Sequence, residues 1–101
     1  MLNCQIHGAR DLRVEDAPVE VLSPTQVRVG IKAVGICGSD LHYYQHGRVG
    51  DFLIRAPLTP GHEASGQVLE VGSQVTSVRA GDRVAINPSR TCGQCRFCRM
   101  G

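Results

Sequence analysis

Gln26-Val27-Arg28-Val29-Gly30-Ile31-Lys32-Ala33-Val34 puts Val27, Val29, Ile31 and Ala33 on one face of an extended chain and Arg28 and Lys32 on the other. That period of two belongs to a half-buried β-strand and not to a helix. Working outward, residues 67–71 and 83–86 are shorter runs of the same kind. Each lies beside a glycine (Gly66, Gly72 or Gly81) that permits the sharp reversals of a closed sheet. Pro18, Pro24, Pro57, Pro60 and Pro88 argue against a long helix before Cys92. Between them, residues 41–46 form the best helical stretch, about two turns, with Ser39 or Asp40 as its N-cap.

Composition agrees with this reading. Twelve glycines and an aromatic share of only 4% suit a small β-rich body with tight turns better than a helical bundle. At 101 residues the chain holds one domain with one core. The formal charge of +2 comes from scattered Arg and Lys, with no basic stripe for nucleic acid or an anionic membrane. A small neutral or weakly acidic ligand is expected instead. Residues 1–18 carry no continuous apolar stretch, which points to a cytoplasmic protein without a signal peptide or membrane anchor. No internal repeat and no Gly-x-Gly-x-x-Gly occurs, so the phosphate-cradling turn of a dinucleotide fold is not among these residues.

Two groups of residues carry chemistry. Cys37 lies just before the helical turn and His62-Glu63 follows Gly61. Thiolate, imidazole and carboxylate are the ligand types that hold a catalytic zinc while leaving one position open. A helix N-terminus beside Cys37 favours its thiolate. On spacing alone a second reading stands beside this one: Cys37 as a small buried hydrophobe and His62 as a hydrogen-bonded loop residue. The other group is Cys92-x-x-Cys95-x-x-Cys98, three of five cysteines crowded too tightly to pair with one another. In a reducing compartment this is a metal site, either for zinc or for an iron–sulfur cluster that opens with the same spacing. In either case the fourth ligand is expected after Gly101. His42, Tyr43, Tyr44 and His46 form a polar aromatic cluster after Cys37, read either as helix surface or as part of a site. Cys4 and His7 are read as structural.

Gly61-His62-Glu63-Ala64-Ser65-Gly66, with Gly72 and Val75 after it, resembles the zinc signature of medium-chain alcohol dehydrogenases. Gly35-Ile36-Cys37-Gly38-Ser39-Asp40-Leu41-His42 upstream and Gly81-Asp82-Arg83-Val84 downstream extend the likeness over nearly the whole chain. The run from Leu41 to Phe52 resembles the polyol branch, the sorbitol, xylitol and L-idonate dehydrogenases. Ala85-Ile86-Asn87-Pro88-Ser89 is most similar to L-idonate 5-dehydrogenases, and the cysteine cluster inclines the likeness toward bacterial-type enzymes.

The resemblance implies a mainly β, GroES-like catalytic domain over residues 1–101. This domain would be incomplete, with the Rossmann domain and the remaining zinc ligands beyond Gly101, and inactive by itself. It implies that Cys37 and His62 ligate a catalytic zinc, with Glu63 as a ligand or an adjacent carboxylate, and that Asp40 orients the His62 ring. Ser39 would take the substrate proton, His42 would pass it to solvent, and Tyr43 would line the polyol pocket. Cys92, Cys95 and Cys98 would be three of four thiolates on a structural zinc, which displaces the iron–sulfur reading. The expected activity is NAD- or NADP-linked oxidation of a secondary alcohol of a polyol or sugar acid, by a homo-oligomer that engages neither nucleic acid nor membrane. Sorbitol, xylitol or L-threonine dehydrogenase is the alternative within the family. A zinc-held interaction module is the alternative outside it.

Overall fold

A computed structural model describes residues 1–101. The first two strands, β1 (Leu2–Gly8) and β2 (Asp11–Asp16), form an antiparallel hairpin. β3 (Val27–Gly35) then leads into helix α1 (Gly38–His46). The short pair β4 (Arg48–Val49) and β5 (Phe52–Leu53) makes a second hairpin. β6 (Glu63–Val71) and β7 (Arg83–Ala85) complete a three-stranded sheet of order β3-β6-β7, and α2 (Arg96–Met100) follows. Every strand pairing is antiparallel. The mainly β class expected from the alternating runs is therefore what the chain adopts. No helix is long and apolar enough to cross a membrane.

The strand that decides the fold is less regular than its alternation suggests. Its register with β6 shifts between Arg28 and Val29 and again between Ile31 and Ala33. Leu69 is the extra residue on β6 at the first shift and Lys32 the extra residue on β3 at the second, so the two bulges compensate and the original register returns. Bulges turn successive side chains off a common face, and Ile31 is accordingly exposed. Between the bulges Gly66 lies directly on the Gly30 carbonyl, where a β-carbon would collide. This close approach explains the glycine in that run.

The helix begins earlier than the sequence indicates. Cys37, not Ser39 or Asp40, is its N-cap. Asp40 sits at the third helical position, where its carboxylate reaches back to accept the Cys37 N–H at 3.0 Å, one half of a capping box. At the other end Gly47 closes the helix at φ 67, buried against Ala9. The Arg10 N–H donates to the Tyr44 carbonyl, so α1 is docked on the tip of the β1–β2 hairpin. Ile6 and Leu58 exchange two backbone hydrogen bonds of 2.8 and 2.9 Å, tying the segment before His62 to β1.

Only Ile6 and Val68 are fully buried aliphatic side chains, each 1% exposed, whereas Ile36 is 78% exposed and Val34 53%. The chain forms a slab of 40 × 39 × 21 Å with a radius of gyration of 15.8 Å. A compact domain of this length would have about 13 Å. Apolar side chains of β3, α1 and β6, among them Ile31, Val34, Leu41 and Leu69, are thus exposed.

Candidate metal centres

Register places the first centre. Gly35 at the end of β3 pairs with Glu63 at the start of β6. The residue two beyond β3 is Cys37 and the residue just before β6 is His62. An antiparallel pair sets its outgoing and incoming ends side by side, and so brings together residues that are 25 apart in sequence. The ligand atoms of Cys37, His62 and Glu63 all lie within 4.8 Å of one another.

Two glycines and one aspartate hold this convergence. A β-carbon on Gly35 would stand 2.6 Å from the Glu63 carboxylate, so the glycine leaves the space in which that carboxylate turns toward Cys37 and His62. Gly61 adopts φ 94, a left-handed conformation that side chains resist, in the turn that delivers His62. Asp40, only 13% exposed, accepts the Cys37 N–H with one oxygen and the Gly61 N–H, at 3.3 Å, with the other. Its nearer oxygen is 3.6 Å from His62 Nδ1, beyond a good hydrogen bond. Asp40 therefore clamps the two backbone segments that carry Cys37 and His62 and stands beside the His62 ring.

Electrostatics within the centre favour a cation. The hydroxyl and the backbone N–H of Ser39, followed by the His62 ring, act on the Cys37 sulfur to hold its thiol below the ordinary range. The same contact with Cys37, aided by the Asp40 charge, raises the His62 pKa. A lowered thiol and a raised imidazole side by side are groups whose protons a metal ion would displace on binding. Such a donor set, with one carboxylate more, fits zinc.

Glycine at position 35 gives a direct test. A methyl group there should displace the flexible end of Glu63 rather than the backbone, because the nearest atom is a carboxylate oxygen. Gly35→Ala is expected to keep its melting temperature while zinc affinity at this centre falls roughly tenfold. A chelator-competition titration measures this; unchanged affinity would mean that Glu63 contributes nothing to metal retention.

The second centre lies on the turn before α2. Gly93 at φ 72 reverses the chain, Cys95 caps the helix and Cys98 sits within it. The Cys95 and Cys98 sulfurs are 3.4 Å apart, those of Cys92 and Cys98 3.7 Å, and the Cys95 N–H donates to the Cys92 sulfur at 3.3 Å. Tetrahedral zinc with Zn–S of about 2.3 Å sets its sulfurs about 3.8 Å apart, whereas a disulfide needs about 2.05 Å. All five cysteines are free. The N–H groups of Gln94 and Cys95 lower the Cys92 pKa to about 7, which favours its thiolate as a ligand.

The remaining residues lie on α1. Ser39 is half-buried at its start and His42 is exposed one turn on. Tyr43 is half-buried, but it is Tyr44, with Ile6, Leu12, Val34 and Leu41, that lines a mainly apolar cleft of 440 Å³ reaching Asp40 and Gly61. The roles of Gly35 and Gly61 were not read from the sequence. Glycine before His-Glu was a visible turn signal, whereas the space opposite Glu63 emerges only with the register.

The alcohol dehydrogenase GroES-like domain family matches residues 23–101. Sorbitol dehydrogenase from Bos taurus is 48% identical over 100 residues, 99% of this chain and 28% of that protein. Sorbitol dehydrogenase from Bacillus subtilis is 44% identical over 96 residues, 95% of this chain and 27% of that protein. Vertebrate and bacterial relatives thus match to a similar degree, and identity does not single out the bacterial branch. The crystal structure of L-idonate 5-dehydrogenase from Escherichia coli superposes with a TM-score of 0.86 at 39% identity, over 98% of this chain and 28% of that one. The chain therefore spans little more than a quarter of the length of these relatives, and on its sequence, its fold and its family match it belongs to the alcohol dehydrogenase GroES-like domain family.

Proposed function

We propose that the whole protein oxidises a secondary alcohol of a polyol or sugar acid, such as L-idonate, to the ketone, with NAD or NADP as hydride acceptor. The observation that carries this reading is the convergence of Cys37, His62 and Glu63 within 4.8 Å at the β3–β6 junction. In this proposal Cys37 and His62 hold a catalytic zinc, with Glu63 as third ligand or adjacent carboxylate, and Cys92, Cys95 and Cys98 hold a structural one. Zinc supplies Lewis acidity toward an alcohol oxygen, and the nicotinamide accepts the hydride.

The chain's own part is positioning and proton transfer. Asp40 keeps the Cys37 and Gly61 segments in place, which orients both donors. Ser39, whose hydroxyl and N–H act on the Cys37 sulfur, is the hydroxyl assigned to accept the substrate proton. His42 is three residues further along α1, on the same helical face and exposed, and it would release the proton to water. Tyr43 is assigned to the pocket wall. Free thiols throughout suit a reducing cytoplasm, and a homo-oligomer is the expected assembly.

A site built to hydrogen-bond several hydroxyls rejects analogues that lack them, because its buried polar groups are left unpaired. Catalytic efficiency for L-idonate, sorbitol or xylitol should exceed that for ethanol by at least about a hundredfold. The aliphatic cleft beside Asp40 and Gly61 favours a second reading, a less polar secondary alcohol. Comparing L-idonate, sorbitol, xylitol, L-threonine, 2-butanol and ethanol with both coenzymes decides between them; 2-butanol in first place upholds the second reading, and 2-butanol, ethanol or threonine in first place refutes the polyol reading. The non-enzymatic zinc module is tested by metal content, since it needs one zinc per chain and the dehydrogenase needs two.

A further inference from the structure

His42 and His46 stand four residues apart on α1, both exposed, with ring centroids 5.5 Å apart and planes tilted by 45°. Residues at this spacing share one helical face. Two imidazoles that share one tetrahedral ion, with metal–nitrogen bonds of about 2.1 Å, set their ring centroids about 5.3 Å apart. The observed pair is already close to that separation. Neither ring is engaged by an acidic side chain: the histidine ion pairs of the chain involve His7 and His62.

We propose that His42 and His46 form a third metal site, open to solvent, that takes a divalent first-row ion through two imidazole nitrogens with water completing its coordination. Imidazole ligands suit nickel, copper and zinc, whereas the two cysteine-containing centres select for zinc by their thiolates. The functional consequence rests on the proton path proposed above: an ion on His42 occupies the nitrogen that would accept the outgoing proton, so free divalent metal would inhibit the enzyme reversibly.

Nickel(II) is the probe, added to the zinc-loaded protein while bound nickel and released zinc are both counted. The expected result is one additional nickel per chain with no zinc released, and at least tenfold weaker nickel binding in His46→Gln. Diethylpyrocarbonate labelling of the parent protein, mapped by mass spectrometry, should show nickel protecting His42 and His46 together; this arm stands even where the variant is unstable. Nickel that enters only as zinc leaves, that binds His46→Gln equally well, or that protects neither histidine overturns the site. Turnover separates the site from the proton path. Nickel should slow the parent and not His46→Gln, and nickel bound at the pair without slowing turnover would uphold the site and remove His42 from the path.

Discussion

His62→Ala in the zinc-loaded protein should lower turnover by roughly a thousandfold or more while leaving the fold in place. The His62 side chain is 39% exposed and lies outside the pair of buried aliphatics, so its removal opens no core cavity. β6 stays registered on β3 by backbone pairing from Val27↔Val71 to Gly35↔Glu63, none of which involves the His62 ring. The Gly61 turn also survives, because Asp40 holds it through the Gly61 N–H. What is lost is one of the three converging donors, leaving a thiolate and an exposed carboxylate that hold zinc weakly. Turnover, zinc content and a thermal melt measured on one preparation test this. Near-normal turnover in a folded His62→Ala protein would remove the Cys37–His62 pair from catalysis. Unfolding of the variant would show instead that the imidazole is structural.

How far the sequence discloses such a centre depends on how local the signal is. Cys92, Cys95 and Cys98 are legible as a candidate metal site because one turn of chain must bring their sulfurs together, and the structure sets Cys98 3.4 Å from Cys95 and 3.7 Å from Cys92 along that turn. Cys37 and His62 are different. Spacing alone left a core cysteine and a loop histidine as a competing reading, and only the β3–β6 register makes them neighbours. The strand centred on Val29 is legible from its alternation, but the alternation does not disclose the compensating bulges at Leu69 and Lys32, which depend on the partner strand. Serine and aspartate are the usual caps and so point to Ser39 or Asp40 as the helix start, whereas the N-cap is Cys37 and Asp40 caps from inside the helix. The β1–β2 hairpin went unread. Its turn uses Ala9 and Arg10, with Arg10 at φ 60, in place of the Asn-Gly or Asp-Gly pair that marks such turns.

The region most dependent on metal should be the C-terminal segment, and Cys95→Ser is the variant that exposes it. Every hydrogen bond formed by residues 87–101 stays within that segment: Ser89 to Asn87, the three sulfur contacts, and the helical bonds of α2 such as the Arg99 N–H to the Cys95 carbonyl. No ion pair connects it to a strand. A five-residue helix is far too short to persist alone in water. Phe97 and Met100 are exposed, so no apolar core substitutes for the metal. Closed thiolate sites contribute folding free energy outright, and segments built on them lose their order without zinc. With Cys95 replaced, the N-cap of α2 loses its sulfur and the cluster keeps only Cys92 and Cys98 from this chain. The expected result is release of one zinc of two, a melting temperature lower by roughly 5 °C or more, and trypsin cleavage at Arg90, Arg96 or Arg99 at least tenfold faster than in the parent. Zinc at Cys37 and His62 should remain, because that centre is held by the β3–β6 register and by Asp40, which do not depend on residues 87–101. Residual turnover should follow the fraction that stays folded. A Cys95→Ser protein that keeps both metals and resists trypsin as the parent does would show that the three cysteines do not hold a structural ion.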